Sequence, residues 1–340
     1  MTVGNPAKVS PATSAKARSG GAAGGSSGSV MPAPQRMARK KRFLKDLLYS
    51  DTVSGYVFAA PFIIGFLAFT ILPMIYSFYI SFTEYRIYAP PVWVGLENYI
   101  RMFTRDPRVI RSITVTLYYV LVSVPLKVGF ALMIAYLLTR PARGTSFYRA
   151  IYYLPSLIGG SVAVSLVWKE LFAVRGVVNR VLTAFGLEPI AWLGDPNYAI
   201  YVLVLLTVWQ FGSSMVIFAA GLKQIPDSYY EAAQIDGATL VQQFFYITLP
   251  CLSPVILFNL IMQTIAGFQN FTQAFIITNG GPMDSTLFYA LYLYHNAFNY
   301  FQMGYASAMA WILLLMIGLT TALIFKSSDR WVFYESKEGS

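Results

Sequence analysis

Long apolar stretches recur along the chain after residue 56, and each is long enough to cross a lipid bilayer, which requires about 20 mainly apolar residues in a helix. The six stretches are Tyr56–Ile80, Ile113–Leu138, Ala150–Trp168, Tyr198–Gly221, Leu252–Ile277 and Tyr305–Lys326. In lipid, only helices and closed barrels satisfy the polar groups of the backbone, and these stretches lack the short alternating segments of barrel strands. The pattern predicts an all-α membrane protein with six transmembrane helices.

The chain before the first apolar stretch is of a different kind. It is rich in Ala, Gly, Ser and Pro and has no apolar run, so it cannot bury enough surface to offset the entropy of ordering. We predict three regions: a disordered basic cytoplasmic tail over residues 1–50, a six-helix transmembrane domain over 51–330, and a cytoplasmic C-terminal tail over 331–340.

The composition fits a membrane protein and argues against metal or redox chemistry. Hydrophobic residues make up 56% of the chain and charged residues 12%, whereas soluble proteins carry about 25% charged residues. With one cysteine, Cys251, and one histidine, His295, the chain cannot form an internal disulfide or a histidine metal cluster. We therefore expect no metal, no cofactor and no catalytic residue.

The distribution of positive charge predicts the orientation. Nine of the 25 lysines and arginines precede the first apolar stretch, which is a membrane-orientation signal before it is a nucleic-acid signal. If the N-terminus is cytoplasmic, sixteen basic residues lie in inner segments and eight in outer ones. We predict that both termini are cytoplasmic, that lipid surrounds the chain, and that nucleic acid is not a partner.

Residues 222–250, between the fourth and fifth stretches, carry signals for the start and end of a short helix. Ser228 and Glu231 have the spacing of a capping box, and Gly237 suits the left-handed residue that ends a helix. We expect a second helix to run to about Thr248, where Pro250 separates it from the fifth span.

This segment resembles the cytoplasmic EAA loop of binding-protein-dependent ABC importer permeases. The residues that match the family's pattern, including the form typical of its sugar importers, are Glu231, Ala232, Ala233, Asp236, Gly237, Ala238, Ile247, Leu249 and Pro250. Further similarity lies at Val94–Tyr99, Phe147–Pro155 and Thr278–Pro282, so that the resemblance covers nearly everything after Asp51. It is to the first, MalF-like permease of carbohydrate uptake systems, and it implies the type I importer (MetI-like) fold.

The resemblance implies a transport subunit of the bacterial cell membrane rather than an enzyme. The implied partners are a second homologous permease in a heterodimer, two cytoplasmic ATP-binding subunits and an extracytoplasmic solute-binding protein. By carry-over, the residues that couple to the ATPase are Glu231, Ala232, Ala233, Asp236 and Gly237; the alternative is that Glu231 only caps its helix and Gly237 only ends it. The sequence contains no Gly-Lys pair and hence no P-loop, so ATP hydrolysis is expected in separate subunits.

Polar residues on the fifth and fourth stretches predict the path of the solute. At about 100° per residue, four amides of the fifth stretch fall within an arc of roughly 80°: Asn259, Gln263, Asn270 and Gln273. Amides both donate and accept hydrogen bonds, as recognition of sugar hydroxyls requires. We place five residues at the translocation site: Trp209, Gln210, Ser213, Gln263 and Asn270. Each is equally consistent with hydrogen bonding between helices, the role that better suits Asn259 and Gln273.

Lys127 lies near the middle of the second stretch, two residues after Pro125. A charge at that depth needs a partner or water. We expect a structural partnership with a freed carbonyl or a neighbouring helix, and attraction of an acidic sugar is the alternative.

The expected solute is a sugar or oligosaccharide, and glycerol-phosphate or another polar solute is the alternative. A secondary transporter would show acidic or histidine proton relays inside its spans, and no Asp, Glu or His lies deep in these six.

Overall fold

The computed structural model describes residues 51–139 and 144–333. The predicted tail over 1–50, with its nine basic residues, and all but the first three residues of the predicted C-terminal tail lie outside these ranges. The helices and strands are α1 Asp51–Phe66, α2 Leu72–Ser81, β1 Thr83–Arg86, β2 Ala89–Trp93, α3 Glu97–Thr104, α4 Pro107–Thr139, α5 Thr145–Ile158, α6 Val162–Leu171, α7 Val177–Ala184, α8 Ala199–Trp209, α9 Gly212–Leu222, α10 Asp227–Ile235, α11 Leu240–Gln243, α12 Leu249–Phe268, α13 Thr272–Ile277, α14 Tyr289–Tyr294 and α15 Met303–Ser328. Three short π-helices cover Leu67–Ile71, Phe244–Thr248 and His295–Asn299.

Four helical segments of the described chain are long and apolar enough to span a membrane: Gly55–Ser81, Pro107–Thr139, Leu240–Ile277 and Met303–Ser328. Two further pairs of helices pass the same test together but are bent, α5 with α6 by 99° and α8 with α9 by 42°. Counting each bent pair as one span gives six spans in the predicted order, so the prediction of an all-α membrane protein is confirmed.

The third and fourth predicted spans are wrong as continuous helices. After α5 the chain turns at Gly159, Gly160 and Ser161, and the extended Ser161 accepts a hydrogen bond from the Val164 N–H at 3.3 Å. A serine in that position starts a new helix. The fourth span breaks at Gln210 and Phe211. Neither break interrupts the apolar pattern enough to appear in a hydropathy profile.

Pro250 does not separate the fifth span from the preceding helix, as the sequence suggests. The helix passes through it, because the turn before it widens into the π-helix Phe244–Thr248. There the Leu249 N–H bonds to the Phe244 carbonyl, five residues back. A proline ring clashes with the carbonyl four residues before it in an α-helix, and one wider turn relieves such a clash.

The chain divides into a unit that ends at Phe69 and a unit that begins at Thr70. In the first unit the described structure is α1 with the start of a π-helix. In the second, the hydrophobic core forms around α4, which packs against α8, α9, α12 and α14. Tyr119 of α4 is fully buried and packs on Phe288, with ring centroids 4.5 Å apart.

The described chain is not helical throughout: β1 and β2 form an antiparallel hairpin between α2 and α3. Thr83 lies opposite Trp93, and Arg86 opposite Ala89. The buried Asn98 of α3 secures the hairpin, since its Nδ2 donates to the carbonyls of Ser81 and Thr83, both at 2.9 Å. Apolar periodicity in helical windows does not detect such a short element.

The start of α4 is connected to the loop before α14 and to α15. The Asp106 carboxylate accepts hydrogen bonds from the hydroxyls of Tyr292 and Tyr305, each at 2.8 Å. Arg108 donates two bonds to Asp284, at 2.6 and 2.9 Å. Burial first, and the Asp106 carboxylate second, raise the pKa of Tyr292, so this phenol remains a donor.

Candidate functional site: a polar cavity and an exposed loop helix

A cavity of about 220 Å³ lies between α4, α8 and α12. Its fifteen lining residues include five side-chain amides and the ammonium group of Lys127, and they include no carboxylate. We call this site the polar cavity. Polar side chains in a membrane segment usually face a bundle interior or a wet space, and here they share one cavity.

Three breaks in transmembrane helices meet at the polar cavity. The turn between α5 and α6 contributes Gly160, the break between α8 and α9 contributes Gln210, and the break between α12 and α13 contributes residues 269–271. Within a membrane, non-helical backbone is tolerated where it is buried in protein or lines a water-filled cavity. The breaks therefore bring polar groups from three spans to one cavity.

Gln210 holds two of these breaks together. Its Nε2 donates to the Gly159 carbonyl at 3.1 Å. A Cβ atom at position 159 would collide with the Gln210 side chain and with the Pro155 carbonyl. Glycine is needed at this position for the two turns to approach each other.

A hydrogen-bond network fixes the wall formed by the third break. The Asn270 Nδ2 donates to the Tyr119 hydroxyl at 2.6 Å and to the Gln273 Oε1 at 3.2 Å. Thr207 is hydrogen-bonded to the Tyr119 hydroxyl and lies 3.5 Å from the Gln273 Oε1. Among the described residues, these bonds use the Asn270 Nδ2 and leave its side-chain oxygen, Oδ1, without a hydrogen bond.

The structure brings three of the five predicted translocation residues together: Gln210, Gln263 and Asn270 line the polar cavity. Trp209 and Ser213 are not among the lining residues. The Trp209 ring packs instead against Trp168, with centroids 5.6 Å apart. The prediction for Trp209 assumes a continuous helix. At a helix break, an aromatic side chain can instead turn away from the cavity.

The predicted continuous amide stripe on the fifth span does not exist as such, because the helix ends at Phe268. The break that follows, rather than helical periodicity, brings Asn270 and Gln273 to the cavity. Asn259 is fully buried away from it, and its Nδ2 bonds to the Val255 carbonyl of the same helix at 3.1 Å. Gln273 both lines the cavity and belongs to the network.

The expected structural partnership of Lys127 is absent from the described residues. Lys127 is 9% exposed and lines the polar cavity, and no hydrogen bond or ion pair reaches it from residues 51–139 or 144–333. Tyr119 and Thr207 also line the cavity, although the sequence does not predict them there. Their spacing on α4 and α8 carries no special motif, and only the packing of the helices brings them together.

The segment predicted to couple to the ATPase forms α10 and the turn after it. Glu231, Ala232, Asp236 and Gly237 are exposed, Ala233 is half-buried, and α10 has no buried residue. Gly237 has a φ of +76°. Its N–H bonds to the Gln234 carbonyl, and the Ala238 N–H bonds to the Ala233 carbonyl. This is the Schellman geometry, so the prediction that Gly237 ends the helix is confirmed.

The predicted capping box at Ser228 and Glu231 is wrong. The helix begins at Asp227 after Pro226, which occupies the cap with no side-chain hydrogen bond, so Ser228 is already inside the first turn. A capping box does occur one helix later. There the Thr239 Oγ1 accepts from the Gln242 N–H at 3.3 Å, and the Gln242 side chain accepts from the Thr239 N–H at 2.7 Å.

A hydrogen bond joins α10 to the residue that precedes the fifth span. The hydroxyl groups of Tyr230 and Thr248 are hydrogen-bonded at 2.9 Å. Thr248 is fully buried and directly precedes α12. Burial raises the pKa of Tyr230, which keeps the phenol protonated. The exposed loop helix is therefore fixed to the helix whose other end borders the polar cavity.

Within residues 51–139 and 144–333, no group of three His, Cys, Asp or Glu side chains is arranged to hold a metal ion.

Comparison with known proteins identifies the family. Residues 102–334 match the family described as binding-protein-dependent transport system inner membrane component. The chain belongs to this family, a class of membrane transport permeases. It is 56% identical over 291 residues to the probable ABC transporter permease protein YesP of Bacillus subtilis, a match that covers 85% of this chain and 94% of YesP.

Two further similarities concern transport systems of named substrates. The lactose transport system permease protein LacF of Rhizobium radiobacter is 34% identical over 80% of this chain and 93% of its own length. A chain of the bacterial alginate ABC transporter, solved in complex with an alginate pentasaccharide-bound periplasmic protein, matches with a TM-score of 0.69 and 22% identity. That match covers 88% of this chain and 97% of the other. The ABC importer permease fold predicted from the sequence is thus confirmed.

Proposed function

We propose that this chain is a permease subunit of an ATP-driven importer that moves a sugar or oligosaccharide delivered by an extracytoplasmic solute-binding protein. The observation that carries the proposal is the meeting of three helix breaks at a cavity lined by five amides. Amides match sugar hydroxyls as donors and acceptors. The family membership and the relative named for lactose transport support a saccharide as the solute.

The partners in this proposal are a second homologous permease, two cytoplasmic ATP-binding subunits and the binding protein. The alginate transporter of similar fold, which was solved with its periplasmic protein, supports the last of these. Both termini lie in the cytoplasm, so that α10 faces the ATP-binding subunits. ATP is hydrolysed in those subunits, and this chain converts their movement into access to the cavity.

The coupling surface is α10 with its terminal turn, formed by Glu231, Ala232, Ala233, Asp236 and Gly237. Small side chains at 232 and 233 allow a partner to approach the helix closely, and the exposed Glu231 carboxylate offers an acceptor. The left-handed Gly237 fixes where the helix stops and the chain turns toward α11. A short helix with no buried residue suits insertion into a cleft of a partner.

The transport cycle follows from how α10 is attached. When ATP binding closes the ATP-binding subunits, α10 moves and draws Thr248 through Tyr230. The helical segment Leu240–Ile277 carries this movement to the break at residues 269–271, which borders the polar cavity. The cavity then opens outward to the loaded binding protein, and hydrolysis returns it inward. Such alternation requires ATP and solute each to bind the two states with different affinity.

The test is to purify the assembled importer with Glu231→Ala or Gly237→Val in this chain. We expect each variant to lower the amount of co-purifying ATP-binding subunit and the ATP-dependent sugar uptake by about tenfold or more, as for loss of a central interface residue. Glu188→Ala is the matched control, since Glu188 is also an exposed glutamate but lies outside the loop. If both variants retain association and uptake, the coupling assignment is wrong.

A further inference from the structure

The polar cavity carries a single charge. Of its fifteen lining residues only Lys127 is ionic, and none is acidic. A neutral sugar needs no such group, because amides and hydroxyls satisfy its hydrogen bonds. The lysine therefore suggests that the ligand carries a negative charge, which the amides alone would not require.

Lys127 has no counter-charge of its own in the described chain. It is 9% exposed, and no carboxylate, carbonyl or hydroxyl of residues 51–139 and 144–333 hydrogen-bonds to it. A buried charge inside a membrane is costly unless it is paired or hydrated. An anion that enters the cavity would compensate this charge, which would add to the affinity for that anion.

The amides around Lys127 specify the rest of the ligand. No residue in the described ranges hydrogen-bonds to the side chains of Gln263 and Gln269, and the Gln210 Oε1 remains free while its Nε2 holds Gly159. These groups offer donors and acceptors at several points around one ammonium group. Such an arrangement fits a molecule with several hydroxyl groups and one anionic group.

We propose that the polar cavity is a site for an acidic saccharide, with Lys127 pairing with the carboxylate of a uronate sugar and the amides binding its hydroxyls. The inference rests on the proposed function and deepens it. Of the two roles that the sequence suggests for Lys127, it favours the attraction of an acidic sugar over the structural partnership.

The test measures equilibrium binding to the permease complex in nanodiscs without its binding protein. The probes are cellobiouronic acid, its neutral methyl ester and glycerol 3-phosphate. We expect the acid to bind at least about tenfold more tightly than its ester, a gain typical of a desolvated charge pair. Lys127→Gln should abolish this ratio and Lys127→Arg should retain it. Lys326→Gln is the control, because Lys326 is exposed at the end of α15.

Equal affinity for the acid and the ester, or an unchanged ratio in Lys127→Gln, overturns the inference. Binding of glycerol 3-phosphate alone overturns the saccharide part of it. If Lys127→Gln does not assemble, the comparison of acid and ester on the unaltered complex still decides. A complex that does not discriminate between the two yet imports the ester with ATP refutes this inference alone, whereas a complex that imports no saccharide with ATP refutes the proposed function.

Discussion

At the scale of single residues, we expect His295 to make stability depend on pH near neutrality. It is the single histidine of the chain and is half-buried beside the start of α4. Its Nδ1 lies 2.7 Å from the Nδ2 of Asn299, an amide nitrogen that only donates, so the ring accepts there. Burial first, and the positive charge of Arg108 second, lower the pKa of His295.

The sign of the pH effect follows from this lowered pKa. The unfolded chain takes up a proton near pH 6.5, while the folded chain takes it up only at lower pH, so acidification favours unfolding. We expect the unfolding temperature in detergent to fall as the pH goes from about 7.5 to 5.5, and His295→Gln to reduce the slope. An equally steep slope in His295→Gln would assign the pH effect to other groups.

At the scale of secondary-structure elements, the sequence predicts which segments are helices better than where those helices break. The six apolar stretches correspond to real spans because length and apolarity are properties of the segment alone. The break at Gln210 depends on a bond to Gly159, which lies 51 residues earlier in the chain. The turn at Ser161 and the end of α12 at Phe268 likewise lie inside apolar stretches.

In the candidate site, too, the sequence predicts some residues, and others are found only from the packing of the helices. Gln210, Gln263 and Asn270 could be predicted, because an amide in an apolar stretch stands out. The partners Tyr119 and Thr207 could not, because their role exists only where α4, α8 and α12 meet. The misplaced capping box has a local cause, since Pro226 shifts the helix start by two residues relative to the Ser228 pattern.

Gly212 tests the break in the fourth span. It is the first residue of α9, and a Cβ there would collide with the Tyr152 carbonyl and the Tyr153 Cα of α5. Because these are backbone atoms, they cannot rotate away. We expect Gly212→Ala to lower the free energy of unfolding by about 1–3 kcal/mol, as for overpacking, measured as a lower unfolding temperature in detergent.

Gly318→Ala is the control for that substitution. Gly318 lies in the middle of α15, and nothing lies within 4 Å of a Cβ added there. Alanine is the better helix former, so the unfolding temperature should be unchanged or slightly higher. If the two variants behave alike, the close approach of α9 and α5 does not contribute to stability.

At the scale of the whole molecule, the proposed function makes the loop helix and the polar cavity the two ends of one mechanical path. The path runs from α10 through the Tyr230–Thr248 hydrogen bond into the segment Leu240–Ile277 and on to the break beside Asn270. Every step lies in the unit that begins at Thr70. Pro250 is compatible with this path because the π-helix before it lets the helix continue.

Tyr230→Phe tests this path without altering the exposed coupling surface. The substitution removes one hydrogen bond, worth about 1 kcal/mol, and so should raise ATP hydrolysed per sugar imported by roughly fivefold. Thr248→Val removes the same bond and also the 3.4 Å bond from the Thr248 hydroxyl to the Gln243 carbonyl, so its effect should be at least as large. The double variant should be no worse than Thr248→Val alone, because Tyr230→Phe removes an interaction that this variant already lacks.

The measurement is the ratio of phosphate released to labelled sugar accumulated in vesicles that contain the assembled importer. Tyr246→Phe is the control, because that tyrosine is 79% exposed in the same stretch of chain. If the effects of Tyr230→Phe and Thr248→Val simply add, the two side chains act separately and the path is not carried by their contact.

The size of the polar cavity determines whether this chain can distinguish short saccharides from long ones. At about 220 Å³ it is smaller than a typical drug-sized pocket of roughly 300–1,000 Å³, so the walls that this chain supplies leave room for about one sugar ring. Under the proposed function, a polymer of several rings would occupy it one ring at a time and project beyond both ends. Recognition inside the membrane would then depend on the chemistry of each ring. Selection for the length of the saccharide would occur at surfaces outside this cavity.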